Sequence, residues 1–456
     1  MNKQEWIQQV NKYDQLANDI RLQLWENPEI AGEEKFASEL YRKVLAEYGF
    51  RITDVPGMPY AFVAEYGQGS PVIAMLGEYD ALPNSSQKVC AVKEEVTAGG
   101  NGHGCGHNIL GTASLAATLA VKDMIDANKM TGTLRFYGCP EEETLIGKVK
   151  MIKAGAFDGC DVALSWHPMS TNQVYENSYL ANTSIKFKFH GVASHAGFAP
   201  HLGRSALDAV ELMNVGANYL REHIISDARV HYTTNSGGFP PNIVHPYADV
   251  WYYVRAPHRS DVNEIVERLT DVAKGAALMA GVTMEVELIS GCHEYKGVPT
   301  MTELTYKNLV EIGAPQFSEE EMAFAKELQG TLTDFQIAND LRLIGKRADE
   351  NPVMHQEVCS MEINRTATIK ASSDSGDVSQ IMPMSLVTTA CWPVGAPAHS
   401  WQATASTGHS MAHTGSMTAA KVMAGMIHDM LTDTSLVAKM KEEHAATHGV
   451  YVNPLD

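Results

Sequence analysis

The sequence predicts an α/β protein with two domains, one of which is inserted into the other. Alternating strands and helices between about 71 and 166 predict a layer of parallel strands, because parallel neighbours need a crossover connection. Residues 184–288 then follow a β-α-β-β-α-β order, which is typical of a ferredoxin-like module. A strand near 385–391 and a helix near 414–431 resume the first pattern. The first domain is therefore expected to be split around the second.

Length and composition favour a soluble globular protein with more than one domain. The chain has 456 residues, of which 45% are hydrophobic and 20% are charged, and domains span about 150 residues on average. Its formal net charge of −19 argues against nucleic acid or an anionic membrane as a partner, because both would repel the chain.

The expected location of the protein follows from two features, the lack of a recognisable targeting segment and the pattern of its cysteines. No stretch reaches the length of a membrane span, and residues 1–6 lack the pattern of a signal peptide. Seven scattered cysteines are typical of reduced thiols rather than of a disulfide framework. We therefore expect a cytoplasmic protein.

The first domain is expected to begin with two helices, at 4–26 and 33–49, where apolar residues recur with helical spacing. The apolar run 71–77 predicts a buried parallel strand. The polar, glycine-rich connection at 84–106 is long, and loops of that length are usually functional. The next predicted elements are a helix at 108–128, a strand at 132–138, a helix at 145–154 and a strand at 161–166.

The inserted domain is predicted from a change in periodicity. Residues 184–190 alternate between polar and apolar, which is typical of a sheet with one solvated face. The module continues with a helix at 203–222, strands at 228–236 and 246–255, a helix at 260–280 and a strand at 282–288. We place the domains at 1–182 and 298–456 for the first, and at 183–297 for the second. Beyond 300, two helices are expected at 301–312 and 319–330, followed by a loop-rich region.

A glycine-rich turn at 99–108 carries Cys105 and His107. A thiolate and an imidazole two residues apart place two good transition-metal ligands at one point of the backbone. A phosphate cradle is disfavoured, because no Lys-Ser/Thr pair follows the glycines. A thiol nucleophile with His107 as its base is an alternative, although nearby carboxylates would raise the pKa of the thiol.

Three adjacent carboxylates, Glu141, Glu142 and Glu143, follow the predicted strand 132–138 and a proline. Sites of α/β proteins collect at such strand ends, and neighbouring carboxylates repel one another unless a cation neutralises them. One would bind metal, one would accept a proton from water, and the third would support them. An ordinary acidic turn at the surface is the alternative.

Further histidines could complete a metal site. His167 ends the predicted strand 161–166, and His399 follows a short turn late in the chain. His409 and His413 are rival candidates by composition, and spacing alone does not choose among them.

Three residues of the inserted domain are candidates for binding. His195 lies in a turn of small residues after a strand, and Asn242 and Arg255 could bind an anion or anchor loops. The run 372–378 is rich in Ser, Gly and Asp, which predicts an Asx-rich turn.

Together these residues resemble the metallopeptidase and amidohydrolase family that includes carboxypeptidase G, aminoacylases and auxin-conjugate hydrolases. The segments that carry the resemblance are 77–83, 102–108, 138–143, 194–197, 241–244, 373–378 and 398–401, in family order. Within the family, the chain is most similar to the branch that acts on p-aminobenzoyl-glutamate. The resemblance implies a two-domain metallopeptidase fold, with an α/β catalytic domain and an inserted ferredoxin-like domain for lid closure and dimerisation.

The resemblance also implies a dinuclear site with two divalent ions per subunit, Zn or Mn. The implied ligands are Cys105 in the bridging position, His107 and His167 on one ion, and Glu143 and His399 on the other.

Other site residues follow from the same resemblance. Glu142 matches the general base, while Glu141 replaces an alanine that often precedes the pair. Asp80 matches the aspartate that orients a ligand. Glu78 stands where many relatives carry a ligand histidine, which fits the branch in which His107 supplies the imidazole instead.

The inserted domain has implied roles as well. His195 resembles the lid histidine that reaches the site of the partner subunit and stabilises the oxyanion. Asn242 and Arg255 stand where relatives contact substrate or hold the lid. A homodimer through the inserted domain is therefore expected, with a related second subunit as a further partner to consider.

The resemblance thus predicts a metal-dependent amidohydrolase that cleaves the amide bond of an N-acyl amino acid. An aromatic acyl-glutamate or -aspartate, such as p-aminobenzoyl-glutamate, is the expected substrate. A metallo-dipeptidase or an indole-acetyl-aspartate-type hydrolase is the alternative among enzymes. A non-catalytic binding protein on the same fold is a weaker alternative, because a binder does not need a base that activates water.

Overall fold

The computed structural model describes residues 2–456, which form two compact units. The first unit contains the residues up to Ser178, Lys296–Thr368 and Val378–Tyr451. The second unit contains Tyr179–Tyr295, Ile369–Asp377 and Val452–Asp456.

The strands are, in chain order, β1 Arg51–Val55, β2 Met58–Gln68, β3 Val72–Glu78, β4 Gly132–Cys139, β5 Val162–Met169, β6 Gln173–Val174, β7 Asn177–Ser178, β8 Ala181–His190, β9 Arg229–Ser236, β10 Tyr247–Ala256, β11 Thr283–Cys292, β12 Tyr295–Lys296 and β13 Met384–Ala390. The α-helices are α1 Lys3–Gln8, α2 Asp14–Glu26, α3 Lys35–Glu47, α4 His107–Asn128, α5 Gly147–Lys153, α6 Ala206–Leu220, α7 Arg259–Ala280, α8 Pro299–Ile312, α9 Glu319–Gln329, α10 Asp334–Leu343, α11 Met361–Thr366, α12 Ser375–Ile381, α13 Trp401–Gly408, α14 Ser410–Thr432 and α15 Ser435–Thr447.

The first unit is built on a mixed sheet of seven strands in the order β1-β2-β4-β3-β5-β13-β6. The central strands β4, β3, β5 and β13 are parallel neighbours, whereas β1, β2 and β6 pair with antiparallel neighbours. Glu78 at the end of β3 lies opposite Cys139 at the end of β4. The parallel strands therefore end at one edge of the sheet, where the ligand sites of open α/β sheets collect.

The core of the first unit lies between this sheet and helices that include α2, α4 and α14. β3 is buried along nearly its whole length, as expected for a parallel strand covered on both faces. Small residues run through α4 and allow it to approach the sheet closely. At Gly111, for example, a Cβ atom would lie only 2.7 Å from the carbonyl oxygen of Glu78. The start of α4 is thereby held close to the end of β3.

The second unit contains an antiparallel sheet of four strands in the order β11-β8-β10-β9. Helices α6 and α7 cover one face of this sheet, where Val250, Tyr252 and Val254 of β10 are buried. The alternate residues of β10 belong to the opposite face, because side chains alternate along a strand. The chain order β8-α6-β9-β10-α7-β11 is the predicted β-α-β-β-α-β order. The predicted fold class, α/β with an inserted ferredoxin-like unit, is confirmed.

The structure differs from the sequence prediction in three segments. A 3₁₀ helix at Gln9–Tyr13 separates α1 from α2, where one helix was expected. The region after 330, expected to be loop-rich, also contains α10 and α11. The run at 372–378, expected to be a turn, leads into α12 at Ser375. Short helices such as these carry too few residues for a clear hydrophobic period.

None of the helices in residues 2–456 is long and apolar enough to span a membrane. All seven cysteines are free thiols, as the sequence predicts.

Candidate metal centre

The candidate ligands of the first unit come from the carboxyl ends of its parallel strands. Glu142 and Glu143 follow β4, and His167 lies near the end of β5. Glu78 is the last residue of β3. His399 lies in the connection between β13 and α13. The strand order therefore gathers residues that are far apart in the sequence.

Cys105 and His107 are placed by a glycine turn at the start of α4. Gly106 has a φ of +88°, in the left-handed region, and caps the helix that begins at His107. A Cβ atom at this position would lie 2.7 Å from Cγ of Pro168. Both the backbone conformation and the close approach therefore require glycine.

Three groups of side chains at this edge could each hold a metal ion, with all ligand atoms of a group within 4.8 Å of one another. The groups are Cys105, His107 and His167; Cys105, Glu143 and His399; and Glu78, His107 and Glu142. Cys105 and His107 each belong to two of these groups, so the groups overlap. All five ligands implied by the resemblance are members of these groups.

The distances between donor atoms are short. Sγ of Cys105 lies 3.5 Å from Nε2 of His167. Nε2 of His399 lies 3.6 Å from Oε2 of Glu143. Nε2 of His107 lies 3.4 Å from Oε2 of Glu78 and 3.8 Å from Oε2 of Glu142.

Hydrogen bonds orient the two buried imidazoles. Nδ1 of His107 donates to the Asp80 carboxylate at 2.9 Å, and the same carboxylate accepts the backbone N–H of Glu143 at 2.8 Å. Nδ1 of His167 donates to the carbonyl oxygen of Pro168 at 2.9 Å. Both rings are therefore left with Nε2 as the atom that can bind a metal, since a second hydrogen-bonded nitrogen fixes the tautomer of a ligand histidine.

Burial and negative charge shape the protonation of the site. Burial raises the pKa of Glu143 to about 7, with His107 opposing this rise and Asp80 adding to it. Burial also raises the pKa of the Cys105 thiol well above its usual value, and the Glu143 carboxylate adds to the effect. A thiol with a raised pKa is a poor nucleophile, which disfavours a thiol hydrolase built on Cys105.

These residues fit a pair of divalent ions. Nε2 of His107, Oε1 of Glu143 and Oε2 of Glu78 are buried without a hydrogen-bond partner, and buried polar groups normally have one. A thiol, imidazoles and carboxylates are the donors that Zn²⁺ prefers, and imidazole and carboxylate also suit Mn²⁺. A cation would supply the missing partners and would offset both the burial and the neighbouring negative charge that raise the pKa values of Glu143 and Cys105.

The rival histidines have other surroundings. His409 stacks on the ring of Phe324 with 4.3 Å between ring centroids. Nε2 of His413 lies 3.1 Å from the carboxylate of Asp14. Neither histidine belongs to the three groups of candidate ligands.

Sequence analysis did not identify Lys148 or Glu34, two charged residues that are buried near the candidate ligands. Nζ of Lys148 lies 2.7 Å from Oε1 of Glu78, and Oε1 of Glu34 accepts the backbone N–H of Glu141 at 2.8 Å. Both residues lie at helical segments rich in charged residues, which normally indicate a solvated surface. No local signal in the sequence separates them from exposed neighbours.

The remaining candidates, His195, Asn242 and Arg255, lie in the second unit. His195 is exposed and forms a β-bridge with Ile243. Its Nδ1 atom accepts the backbone N–H groups of residues 197 and 198. The backbone N–H of Ala196 donates to the carbonyl oxygen of Asn242 at 2.9 Å. His195 and Asn242 are thus held together by backbone pairing.

Arg255 lies on β10, on the face opposite to α6 and α7. Its guanidinium is 5.6 Å from the ring centroid of Tyr253, and its Nε atom is buried without a hydrogen-bond partner. A cavity of about 260 Å³ beside it is lined by His231, Tyr232, Thr233, Trp251 and Tyr253. This face combines a cationic group with aromatic rings.

Parallel strands that bring such a donor set and an adjacent carboxylate to their carboxyl ends are typical of a metal-dependent hydrolase. Residues 74–334 match Peptidase family M20/M25/M40, and the chain belongs to this family.

Individual relatives support the assignment. The chain is 44% identical over 438 residues to a subunit of p-aminobenzoyl-glutamate hydrolase from Escherichia coli (strain K12), and the match covers 93% of this chain and 91% of the relative. It is 32% identical over 288 residues to Xaa-Arg dipeptidase of Mus musculus, with 60% of this chain and 62% of the relative covered. The crystal structure of a dinuclear metal binding peptidase of the M20 family from Bacillus subtilis matches with a TM-score of 0.59 at 18% identity, over 95% of this chain and 99% of that chain. The predicted family and the predicted class of enzyme are confirmed.

Proposed function

We propose that the protein is a dinuclear metal amidohydrolase that cleaves an aromatic acyl-glutamate or -aspartate, such as p-aminobenzoyl-glutamate. One observation carries this proposal. The candidate ligands meet in overlapping groups at one sheet edge, with the carboxylate of Glu142 among them. The similarity along most of the chain to a protein named as part of a p-aminobenzoyl-glutamate hydrolase supports the choice of substrate.

The proposed ligands divide between two ions, Zn²⁺ or Mn²⁺. Cys105 would contribute to both sites, His107 and His167 would hold one ion, and Glu143 and His399 would hold the other. When bound, such ions lower the pKa of water and polarise a carbonyl oxygen.

Glu142 is the proposed general base. Its carboxylate lies 3.8 Å from Nε2 of His107, so it borders the ligands without belonging to the five proposed ones. Glu142 takes a proton from the water that attacks the amide carbonyl carbon. It then gives that proton to the amine nitrogen as the carbon–nitrogen bond breaks. The products are a carboxylate and a free amino acid.

The second unit supplies the proposed substrate contacts. Arg255 pairs with a carboxylate of the amino acid, since a guanidinium matches that group in charge and shape. His195 stabilises the oxyanion in the site of the partner subunit, and Asn242 contacts the substrate nearby.

The proposed assembly is a homodimer through the inserted domain. The similarity to a protein that is named as one subunit of a hydrolase makes a complex with a related second chain the alternative. We propose a cytoplasmic location, because a metal-bound thiolate and the free cysteines both suit a reducing compartment.

A panel of substrates tests this proposal. The protein loaded with Zn²⁺ or Mn²⁺ is assayed with p-aminobenzoyl-glutamate, indole-acetyl-aspartate and dipeptides that end in arginine, and the released amino acids are quantified. We expect the highest kcat/KM for p-aminobenzoyl-glutamate. A clear preference for the dipeptides would instead support a dipeptidase, the alternative favoured by the similarity to Xaa-Arg dipeptidase. A metal-loaded protein that cleaves none of them would contradict the proposed substrate class.

A further inference from the structure

Lys148 and Glu78 form an ion pair in the interior of the first unit. Lys148 is 0% exposed and Glu78 is 2% exposed, and Nζ of Lys148 lies 2.7 Å from Oε1 of Glu78. A lysine is almost never fully buried unless it is paired. The ammonium of Lys148 therefore supplies the buried carboxylate of Glu78 with a partner of opposite charge.

The second oxygen of Glu78 points to the candidate metal centre. Oε2 of Glu78 lies 3.4 Å from Nε2 of His107. Both atoms are buried without a hydrogen-bond partner, and both belong to one group of candidate ligands. Two such acceptors side by side repel each other when His107 is neutral. A cation between them removes this repulsion and gives each atom a partner.

The charges of the centre support the same arrangement. Glu78, Asp80, Glu142, Glu143 and a Cys105 thiolate would carry five negative charges within a largely buried site. Two divalent ions neutralise four of them, and the ammonium of Lys148 neutralises the remaining one. Lys148 pairs with Oε1 of Glu78, so Oε2 of the same carboxylate remains able to bind a metal ion.

From this geometry we propose that Glu78 is a further metal ligand, on the ion held by His107, and that Lys148 is the positioning residue that fixes its carboxylate. The inference rests on the two-ion centre proposed above. Lys148 neutralises one oxygen and thereby directs the other towards the ion.

The test is metal binding by the full-length chain. After removal of metal with a chelator, Mn²⁺ is titrated into the wild type, Glu78→Gln, Lys148→Met and the double variant, and bound ions are counted by calorimetry and elemental analysis. Lys153→Met is the matched control, because Lys153 is an exposed residue of the same helix, α5. Thermal unfolding of each metal-free variant reports whether it is folded.

We expect Glu78→Gln to bind one ion as the wild type does and the other at least about 10–100-fold more weakly, because that loss is found even for residues that only support metal ligands. Lys148→Met is expected to weaken the same ion. The double variant should resemble Glu78→Gln in metal affinity, because the two side chains act as a unit. Its metal-free form should be more stable than that of Lys148→Met, which leaves a buried carboxylate unpaired.

Two results would overturn the inference in different ways. If the wild type binds two ions and folded Glu78→Gln binds both with unchanged affinity, the ion pair is structural and Glu78 is not a ligand. If the wild type binds no ion, the two-ion centre itself is wrong.

A crystal structure of the Mn²⁺- or Zn²⁺-loaded wild type decides the matter if the variants do not fold. Anomalous scattering locates the ions, and a ligand carboxylate oxygen lies about 2.0–2.2 Å from Zn²⁺. An ion clearly beyond that distance from Glu78 would refute the assignment.

Discussion

Glu142 and Glu143 are adjacent in sequence, yet their carboxylates have different neighbours. Glu143 is tied to Asp80 through its backbone N–H, and its carboxylate faces His399. The carboxylate of Glu142 instead lies near Nε2 of His107. In the proposed function, Glu143 binds a metal and Glu142 moves a proton.

The role of Glu142 predicts the effect of its replacement. Glu142→Gln keeps the size of the side chain but cannot accept a proton, so kcat should fall by about 10²–10⁴-fold, the usual contribution of a general base. Metal content, measured by elemental analysis, should stay at the wild-type level. Unchanged turnover would transfer the role of base to Glu141.

At this scale the sequence identifies residues whose signal is local. Cys105 and His107 are two positions apart on a glycine turn, and Glu142 and Glu143 follow a strand, so each pair stands out without knowledge of the fold. The pairing of Glu78 with Lys148 depends on how β3 and α5 meet, and no short motif contains both. Such a contact is visible only in the folded chain.

Among the elements, the start of α3 supports the turn that carries the acidic residues. Oε1 of Glu34 accepts the N–H of Glu141, whose φ of +62° is unusual for a residue other than glycine. Burial raises the pKa of Glu34 from 4.5 to about 8, with Asp80 adding to the rise. This raised pKa favours the protonated, neutral form of Glu34 at neutral pH.

This shift predicts a pH dependence of stability. A carboxyl with a raised pKa binds more protons in the folded state than in the unfolded state, so its contribution falls as the pH rises from 4.5 to about 8. Glu34→Gln keeps an acceptor and cannot ionise. The melting temperature of the wild type should therefore fall relative to that of Glu34→Gln between pH 5 and 8, about the span of this titration. Parallel curves for the two proteins would contradict the neutral state of Glu34.

The glycine turn before α4 predicts that a substitution at Gly106 lowers both stability and metal affinity. Gly106→Ala should destabilise the protein by about 1–2 kcal/mol, because a residue with a Cβ atom is strained in the left-handed region, and the contact with Pro168 adds to this. Metal affinity should fall as well, since Cys105 and His107 flank the turn. Gly275→Ala in α7 is the control, because open space surrounds that position. Equal unfolding free energies for the two variants would refute this account of the turn.

The regular elements near the site follow directly from the sequence, whereas some distant ones do not. β3, β4, β5 and α4 have long apolar or small-residue runs that fit one secondary structure. α10 and α11 are short, with ten and six residues, and Phe335 and Leu343 of α10 are exposed although they are apolar. Their hydrophobic patterns therefore do not distinguish a helix from a loop.

For the whole molecule, the insertion of one unit within another was predictable because the hydrophobic period changes at its ends. The contacts between segments far apart in the sequence could not be predicted in the same way, because the strand order of the first unit depends on how those segments pack together. At the scale of the whole molecule, the proposed function requires a homodimer in which His195 of each subunit acts in the active site of the other.

Mixed dimers test this shared site. His195→Ala and Cys105→Ala should each have little activity alone, since each disables every site of its own homodimer. After subunits are exchanged, a mixed dimer keeps one intact site. Activity should therefore rise to about a quarter of the wild-type value when exchange is random. Failure to recover activity, with exchange verified by mass spectrometry, would place the action of His195 within its own subunit or remove it from catalysis.

The most direct test of the proposed two-ion hydrolase joins metal content to turnover. Ions per chain are counted by elemental analysis, and hydrolysis of p-aminobenzoyl-glutamate is measured before chelation, after it, and after Zn²⁺ or Mn²⁺ is restored. We predict about two ions per chain, as expected for a two-metal site, with activity that is lost on chelation and regained with metal. A chain that binds no metal, and gains no activity when metal is added, would contradict the proposal.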